Sequence, residues 1–272
     1  MDVHTVAKAG FGIGTNDLYD RARPSYQPLA LSYIRHVIEK KTSINVAEIG
    51  AGTGIFTRAL LAHPEWSSNV QAIKAVEPSD GMRNVFSRTV KDNRVTLSEG
   101  TFEKTGIDNQ WADLIVIAQA FHWCPDFDRA SAEFSRILKP HGAVVFIWNL
   151  EDRDTARWVA QLREHIEQHE DGTPQFRLGL WRKAFDTPSY QGAFLPPSEK
   201  SWTYTLPTNV GAVLSRAASK SYIAILPEDE KLRVQSSVKE IVEKGEDKVW
   251  IDESKGIFLY PYKCYVVVSQ KK

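Results

Sequence analysis

Only two cysteines, Cys124 and Cys264, occur in 272 residues, too few for a disulfide framework. Long apolar runs are missing as well: none reaches the roughly 18 residues that a membrane-crossing helix needs. The first residues, MDVHTVAKAGFGIG, lack the apolar centre of a secretory signal, so a cytoplasmic location is expected and no membrane partner. Net charge is absent, with 34 Lys plus Arg against 34 Asp plus Glu, and basic runs do not exceed pairs such as Lys40-Lys41. A nucleic-acid partner is therefore not expected, because phosphate binding needs a basic stripe or patch. Metal-ligand spacing is lacking too: His165 and His169 stand four apart on an expected helix, but no third ligand accompanies them, and no metal is expected. Internal repeats and low-complexity tracts are not found.

What remains is an ordinary globular composition, 42% hydrophobic and 25% charged. The length suits one large α/β domain, with or without an insertion. Short apolar runs over 44–49, 71–77, 94–98, 112–119 and 143–149 read as strands, and helical spacing recurs over 26–40, from Phe56 onward, over 79–90 with Ser79 as cap, and over 126–138. Strands alternating with helices imply a doubly wound, mostly parallel sheet. The pattern changes over 150–205, which is rich in Arg, Glu, Gln, Trp and Pro and reads as a lid or insertion. Beyond it, 212–224 and 228–243 read as helices, and 248–251 with 257–269 as an antiparallel hairpin turning at Gly256.

The first strand runs into Gly50-Ala51-Gly52-Thr53-Gly54, and Ile55 stands where a dinucleotide fingerprint needs a small residue. Glu48 precedes this turn inside the strand, and Glu77 ends the second strand, 23 residues beyond Gly54. Glycines let the backbone approach a ligand closely. The carboxylate of Glu77 is placed to accept hydrogen bonds from two ribose hydroxyls, and that of Glu48 to face an ammonium group. Met82 offers an adaptable apolar surface for an adenine ring. A nucleoside with an amino-acid tail fits this set better than a pyrophosphate.

Four segments in order, VAEIGAGTG (46–54), AVEPSDGM (75–82), AQAFHW (118–123) and EFSRILKPHGAVVF (133–146), resemble the successive motifs of class I S-adenosylmethionine (SAM)-dependent methyltransferases. YDRARPSY (19–26) and LSRAASKSYIAILP (214–227) narrow the resemblance to the type 11 group, similar to trans-aconitate methyltransferase and related small-molecule enzymes. The resemblance implies a seven-stranded Rossmann-like sheet of order 3-2-1-4-5-7-6, an insertion or lid after strand five, and SAM as cofactor with S-adenosylhomocysteine as product. It implies that Glu48, Gly50, Gly52 and Gly54 hold the methionine part, Glu77 the ribose, Met82 the adenine and Thr101 with Phe102 the adenine edge, and that Ala51, Thr53 and Pro78 also bind the cofactor. Gln119 would lie near the transferring methyl, and Tyr19 would close over the cofactor. Glu48 departs from the family, which more often has the shorter Asp. The layout implied is an arm and helix over 1–40 covering the cofactor site, a SAM-binding core over 41–150, a substrate lid over 151–225, and a closing helix with antiparallel strands over 226–272.

His122 follows strand four, where the methyl group would point, and has two readings: a general base, or a ring that packs and orients the substrate. Trp123, Trp148, Trp181 and Tyr222 are expected to line the acceptor pocket, the alternative for each being ordinary core packing. Arg21 and Arg23 are candidates to bind a carboxylate, because a guanidinium pairs with two oxygens; the alternative is surface exposure. The function expected is methyl transfer to a small molecule, with oxygen of a carboxylate or hydroxyl as acceptor, by a monomer or homodimer. The alternatives are carbon or nitrogen methylation, a non-catalytic SAM-binding regulator, and a NAD-dependent oxidoreductase.

Overall fold

The computed structural model describes residues 15–38 and 42–272. Gly10, Gly12 and Gly14, and positions 39 and 40 at the end of the expected 26–40 helix, lie outside the described residues. The chain builds one mixed sheet from β1 (Ile44–Ile49), β2 (Val70–Val76), β3 (Val95–Ser98), β4 (Ala112–Ala118), β5 (Leu138–Glu151), β6 (Ser198–Thr208), β7 (Trp250–Asp252) and β8 (Ile257–Gln270). The order is β3-β2-β1-β4-β5-β8-β6, with β7 paired to β8 alone. β1 to β5 run parallel, and β8 lies antiparallel between β5 and β6. With the short β7 set aside and β8 counted seventh, this is the expected 3-2-1-4-5-7-6.

The central strands are mostly apolar because helices cover both faces. All seven residues of β4, ADLIVIA, are buried. Side chains alternate along a strand, so Leu114 and Val116 join Ile34, Phe56 and Leu60 on one face. Ile115 and Ile117 join Phe121, Phe134 and Trp148 on the other. A third cluster packs the helices Arg157–Glu167, Val210–Ala218 and Glu228–Lys244 onto Phe258, Tyr260 and Tyr262 of β8. Ser79 caps the helix Asp80–Thr89, its side chain accepting from the Met82 amide as that sequence suggests.

One element departs from expectation. The span read as lid, 151–225, contains the eleven-residue edge strand β6, registered against β8 from Ser198 opposite Val268 to Thr208 opposite Phe258. Its half-buried residues, Trp202, Tyr204, Leu206 and Thr208, alternate with exposed ones, and Pro207 is tolerated because an edge strand has one free side. Among the described residues no helix is long and apolar enough to cross a membrane.

Candidate active site

Chain order reverses between β1 and β4, whose neighbours lie on opposite sides. In such sheets ligands bind at this switch point, at the carboxyl ends of the strands, and the turns after β1 and β4 both open there. Gly50 and Ala51 donate their amides to the Val76 carbonyl at 2.8 and 3.1 Å, which folds the turn back onto β2. Gly50 adopts φ +73°, and a Cβ there would stand 2.7 Å from Cβ of Ala120 in the turn after β4. Gly54 (φ +85°) would place a Cβ 2.6 Å from Val90 and 2.9 Å from Phe86. Glycine is required at both by backbone hand and by close approach.

Two buried carboxylates flank this turn. Glu77 bridges two backbone amides, accepting from Gly52 and from Ser79 at 2.9 Å each; burial raises its pKa, opposed by those two bonds. Glu48 is 1% exposed. Its Oε2 accepts from the Thr57 hydroxyl, while Oε1 is buried with no hydrogen-bond partner among the described residues. Burial pushes its carboxyl up to about 8; the Thr57 hydroxyl opposes this and the neighbouring Glu77 adds to it. A buried acceptor without a partner invites a cationic donor.

Both carboxylates line a cavity of about 470 Å³, within the usual range for cofactor sites. Its wall includes Tyr19, Gly50, Ala51, Gly52, Thr53, Pro78, Met82, Thr101, Phe102 and Gln119, all candidates from the sequence. Gly54 does not reach the wall; it lies beneath the turn against Val90 and Phe86, and its part is to let the helix Ile55–Ala62 start there. Tyr26, Phe56 and Glu103 also line the cavity and escaped sequence reasoning. Gln119 takes φ +58°, held by its amide to the Ile147 carbonyl at 2.8 Å and its Nε2 to the Asn149 carbonyl at 2.7 Å. Strain of this kind survives only where the surroundings over-determine it.

A second cavity of about 240 Å³ adjoins the first and shares Tyr19, Gln119 and Trp123 with it. Arg23, His122 and Tyr222 are in its wall, together with Glu151, Arg163, Arg216 and Lys220, which sequence reasoning did not single out. Glu151, the last residue of β5, meets Arg163 at 2.7 Å, Lys220 at 2.8 Å and Arg216 at 2.9 Å. Burial alone would raise its carboxyl, but the three cations outweigh it and hold it well below the usual range. Arg23 donates to the Ser219 carbonyl at 2.7 Å and stacks 4.4 Å over the Tyr19 ring, while its Nε is buried without a partner among the described residues. Burial, then Arg216, lowers its pKa to about 10. Over the whole wall, seven Arg and Lys side chains face four Asp and Glu.

His122 sits on the 3-10 turn Phe121–Trp123 directly after β4. Burial, then Arg23 and Lys220, lowers its pKa to about 3. The Trp148 indole donates to its Nδ1 at 3.3 Å.

Three expected acceptor residues are not in the wall. Arg21 is exposed, turned outward from the helix Asn16–Ala22. Trp148 and Trp181 are 0% and 1% exposed; their rings pack at a tilt with centroids 4.8 Å apart, with Phe176 4.9 and 5.4 Å away. For these two, core packing is the role the structure shows. Arg216 and Lys220 belong to the same 214–227 motif as Tyr222, so the signal for them was in view.

Residues 47–146 match the family model described as a methyltransferase domain. The chain is 29% identical over 225 residues, 82% of each chain, to an uncharacterized methyltransferase-like protein of Schizosaccharomyces pombe. Over 104 residues, 38% of this chain and 36% of the relative, it is 34% identical to the malonyl-[acyl-carrier protein] O-methyltransferase of Priestia megaterium. The solved complex of Haemonchus contortus phosphoethanolamine N-methyltransferase 2 with S-adenosyl-L-methionine shares the fold at a TM-score of 0.55 and 14% identity, covering 98% of this chain and 58% of that one. The sheet order is that of class I methyltransferases, and the matched residues are similar to a methyltransferase domain. The chain is an S-adenosylmethionine-dependent methyltransferase, with SAM as its cofactor.

Proposed function

We propose that this enzyme methylates an oxygen of a small-molecule acid. The observation that supports the reading is the second cavity: its wall holds seven Arg and Lys side chains against four Asp and Glu, and abuts the cofactor cavity at Tyr19, Gln119 and Trp123. A wall with more positive than negative side chains favours an anion. The partial relative named as an O-methyltransferase agrees with an oxygen acceptor. The residues of the larger cavity fit SAM: the free Oε1 of Glu48 suits its ammonium, the Glu77 carboxylate its ribose hydroxyls, and Met82, Thr101 and Phe102 its adenine.

Bound SAM supplies a methyl carbon on a sulfonium, whose transfer to a carboxylate oxygen breaks one C–S bond, forms one C–O bond and leaves no proton to remove. The protein's share is then to place the nucleophile in line and keep water out. Arg23, whose Nε is without a partner among the described residues, attracts the anion, and Trp123 and Gln119 form the wall between the two reactants. A ring whose pKa lies near 3 is a weak base, and a carboxylate acceptor needs none.

Incubation with methyl-labelled SAM and a panel of mono-, di- and tricarboxylates, phenols, amines and a fractionated metabolite extract tests this. The expected product is a methyl ester that releases its label as methanol in mild alkali. Label found only in alkali-stable N-methyl, C-methyl or ether products overturns it.

A further inference from the structure

Trp148 buries its indole in an aromatic stack, and its one polar atom is directed at His122. The Trp148 ring lies 4.8 Å from Trp181, 4.9 Å from Phe176 and 6.3 Å from Phe146, so it has no freedom to turn. Its Nε1–H is a donor only, and it points at Nδ1 of His122 from 3.3 Å. A nitrogen that accepts this bond carries no hydrogen. In a neutral imidazole the proton must then sit on Nε2. That nitrogen diverges from Nδ1 across the ring, away from the indole, and no hydrogen bond from the described residues occupies it; the ring lines the 240 Å³ cavity with Arg23 and Lys220.

We propose that Trp148 is a positioning residue that fixes His122 as the Nε2–H tautomer, so that the ring presents one N–H donor to an oxygen of the acceptor. The inference rests on the acceptor cavity assigned above, and it makes His122 a donor that never takes a proton. The division of work has a physical reason. The cations supply attraction over distance but little direction. A neutral N–H supplies direction: bonded to one carboxylate oxygen, it leaves the other free to attack. Protonation of the ring would break the Trp148 bond and add a third positive charge beside Arg23 and Lys220, and both neighbours oppose it.

The test separates the two ring nitrogens. Long-range ¹H–¹⁵N spectra of the free enzyme should show His122 with a pyrrole-type Nε2 and a pyridine-type Nδ1, unchanged between about pH 5.5 and 9. The reverse pattern, or a titration near neutrality, overturns the proposal without reference to any acceptor. Kinetics with whichever acceptor is methylated give the second arm. The amide nitrogen of Gln reaches the position of Nε2, and that of Asn the position of Nδ1. H122Q should therefore keep kcat about tenfold above that of H122N, the size of one neutral hydrogen bond, with S-adenosylhomocysteine affinity equal in the two. Equal activity of H122Q and H122N overturns the proposal. W148F keeps the aromatic stack and removes the donor; loss of the fixed tautomer in its spectrum, with kcat lowered and acceptor KM held, is the expected result, and an unchanged spectrum refutes it. Should W148F fold poorly, the two His122 variants, in a half-buried turn, still decide. A complete lack of methyl transfer to any acid counts against the proposed function and leaves the tautomer measurement standing.

Discussion

Glu48 gives the sharpest prediction, because its two oxygens are treated differently: one bonded to Thr57, one buried and bare. Burial moves its carboxyl from 4.5 to about 8 in the folded, ligand-free chain. At about 1.4 kcal/mol per pKa unit, the shift is linked to roughly 5 kcal/mol of folding free energy. The sign follows from proton binding. The folded state holds the proton more tightly, so this contribution is fully present below 4.5 and is lost as pH rises through about 8. A cationic ammonium at Oε1 reverses the preference and pulls the carboxyl back toward its ionised form. Binding near neutrality should then release close to one proton, and affinity should climb up to about tenfold per pH unit until pH nears 8. E48Q retains the shape and removes the charge. The variant should lose the pH slope in both stability and binding, and bind S-adenosylhomocysteine about 100-fold more weakly, as when one partner of a buried charge pair is removed. Calorimetric titration in two buffers of different ionisation heat counts the protons, and thermal melts across the same pH range read the stability. Equal proton release from wild type and E48Q, or wild-type affinity that falls as pH rises toward 8, refutes the reasoning.

G50A and G54A should each destabilise the chain by about 1–3 kcal/mol, since both combine a left-handed backbone with a Cβ contact under 3 Å; melting curves with and without S-adenosylhomocysteine check this. E151Q strands three cations that now share one carboxylate, and should cost about 3–5 kcal/mol in chemical denaturation. K220M removes only one of the three, so its loss should be the smaller of the two; the opposite ranking contradicts the assigned charges. R23Q should raise acceptor KM about tenfold, one charge-assisted hydrogen bond, with S-adenosylhomocysteine affinity within about twofold of wild type.

The donor half was legible in the sequence because it is made of contiguous pieces. A glycine turn, the acid before it and the acid that ends the next strand have fixed offsets, and a parallel sheet brings those offsets to one crevice. The acceptor half comes from five separated segments, joined only by the fold: Arg23, His122, Glu151, Arg163, and Arg216 with Lys220. Even so, some of the misplacements carried a readable signal. Trp148 has the same strand parity as Val144 and Phe146, which places it in the core, whereas Asn149 takes the other side. Arg21 and Arg23 are two apart, a spacing that sends helical side chains to different faces, and only Arg23, an extended C-cap, turns inward. The W-T-Y-T-L alternation of β6 was visible, but Arg, Glu and Pro around it favoured a lid. Gly54 was judged by its motif alone, and nothing in the sequence shows that Val90 and Phe86 lie beneath it.

Among the described residues the two cavities meet at Tyr19, Gln119 and Trp123, and the helix carrying Tyr19 is tied to both sides. Toward the donor, Asp20 pairs with Arg58 at 2.7 Å, and Arg58 also donates to the Thr53 carbonyl of the glycine turn at 2.8 Å. Asp17 pairs with Arg88 at 2.9 Å on the helix that follows β2. Toward the acceptor, Arg23 reaches Ser219 beside Lys220. Exposed ion pairs are weak, of order 0–1 kcal/mol each, and the Asp17 pair is exposed. The Asp20 pair is more sheltered. Tyr19 lines both cavities, so the contacts that hold its helix also hold part of the wall where donor and acceptor cavities meet.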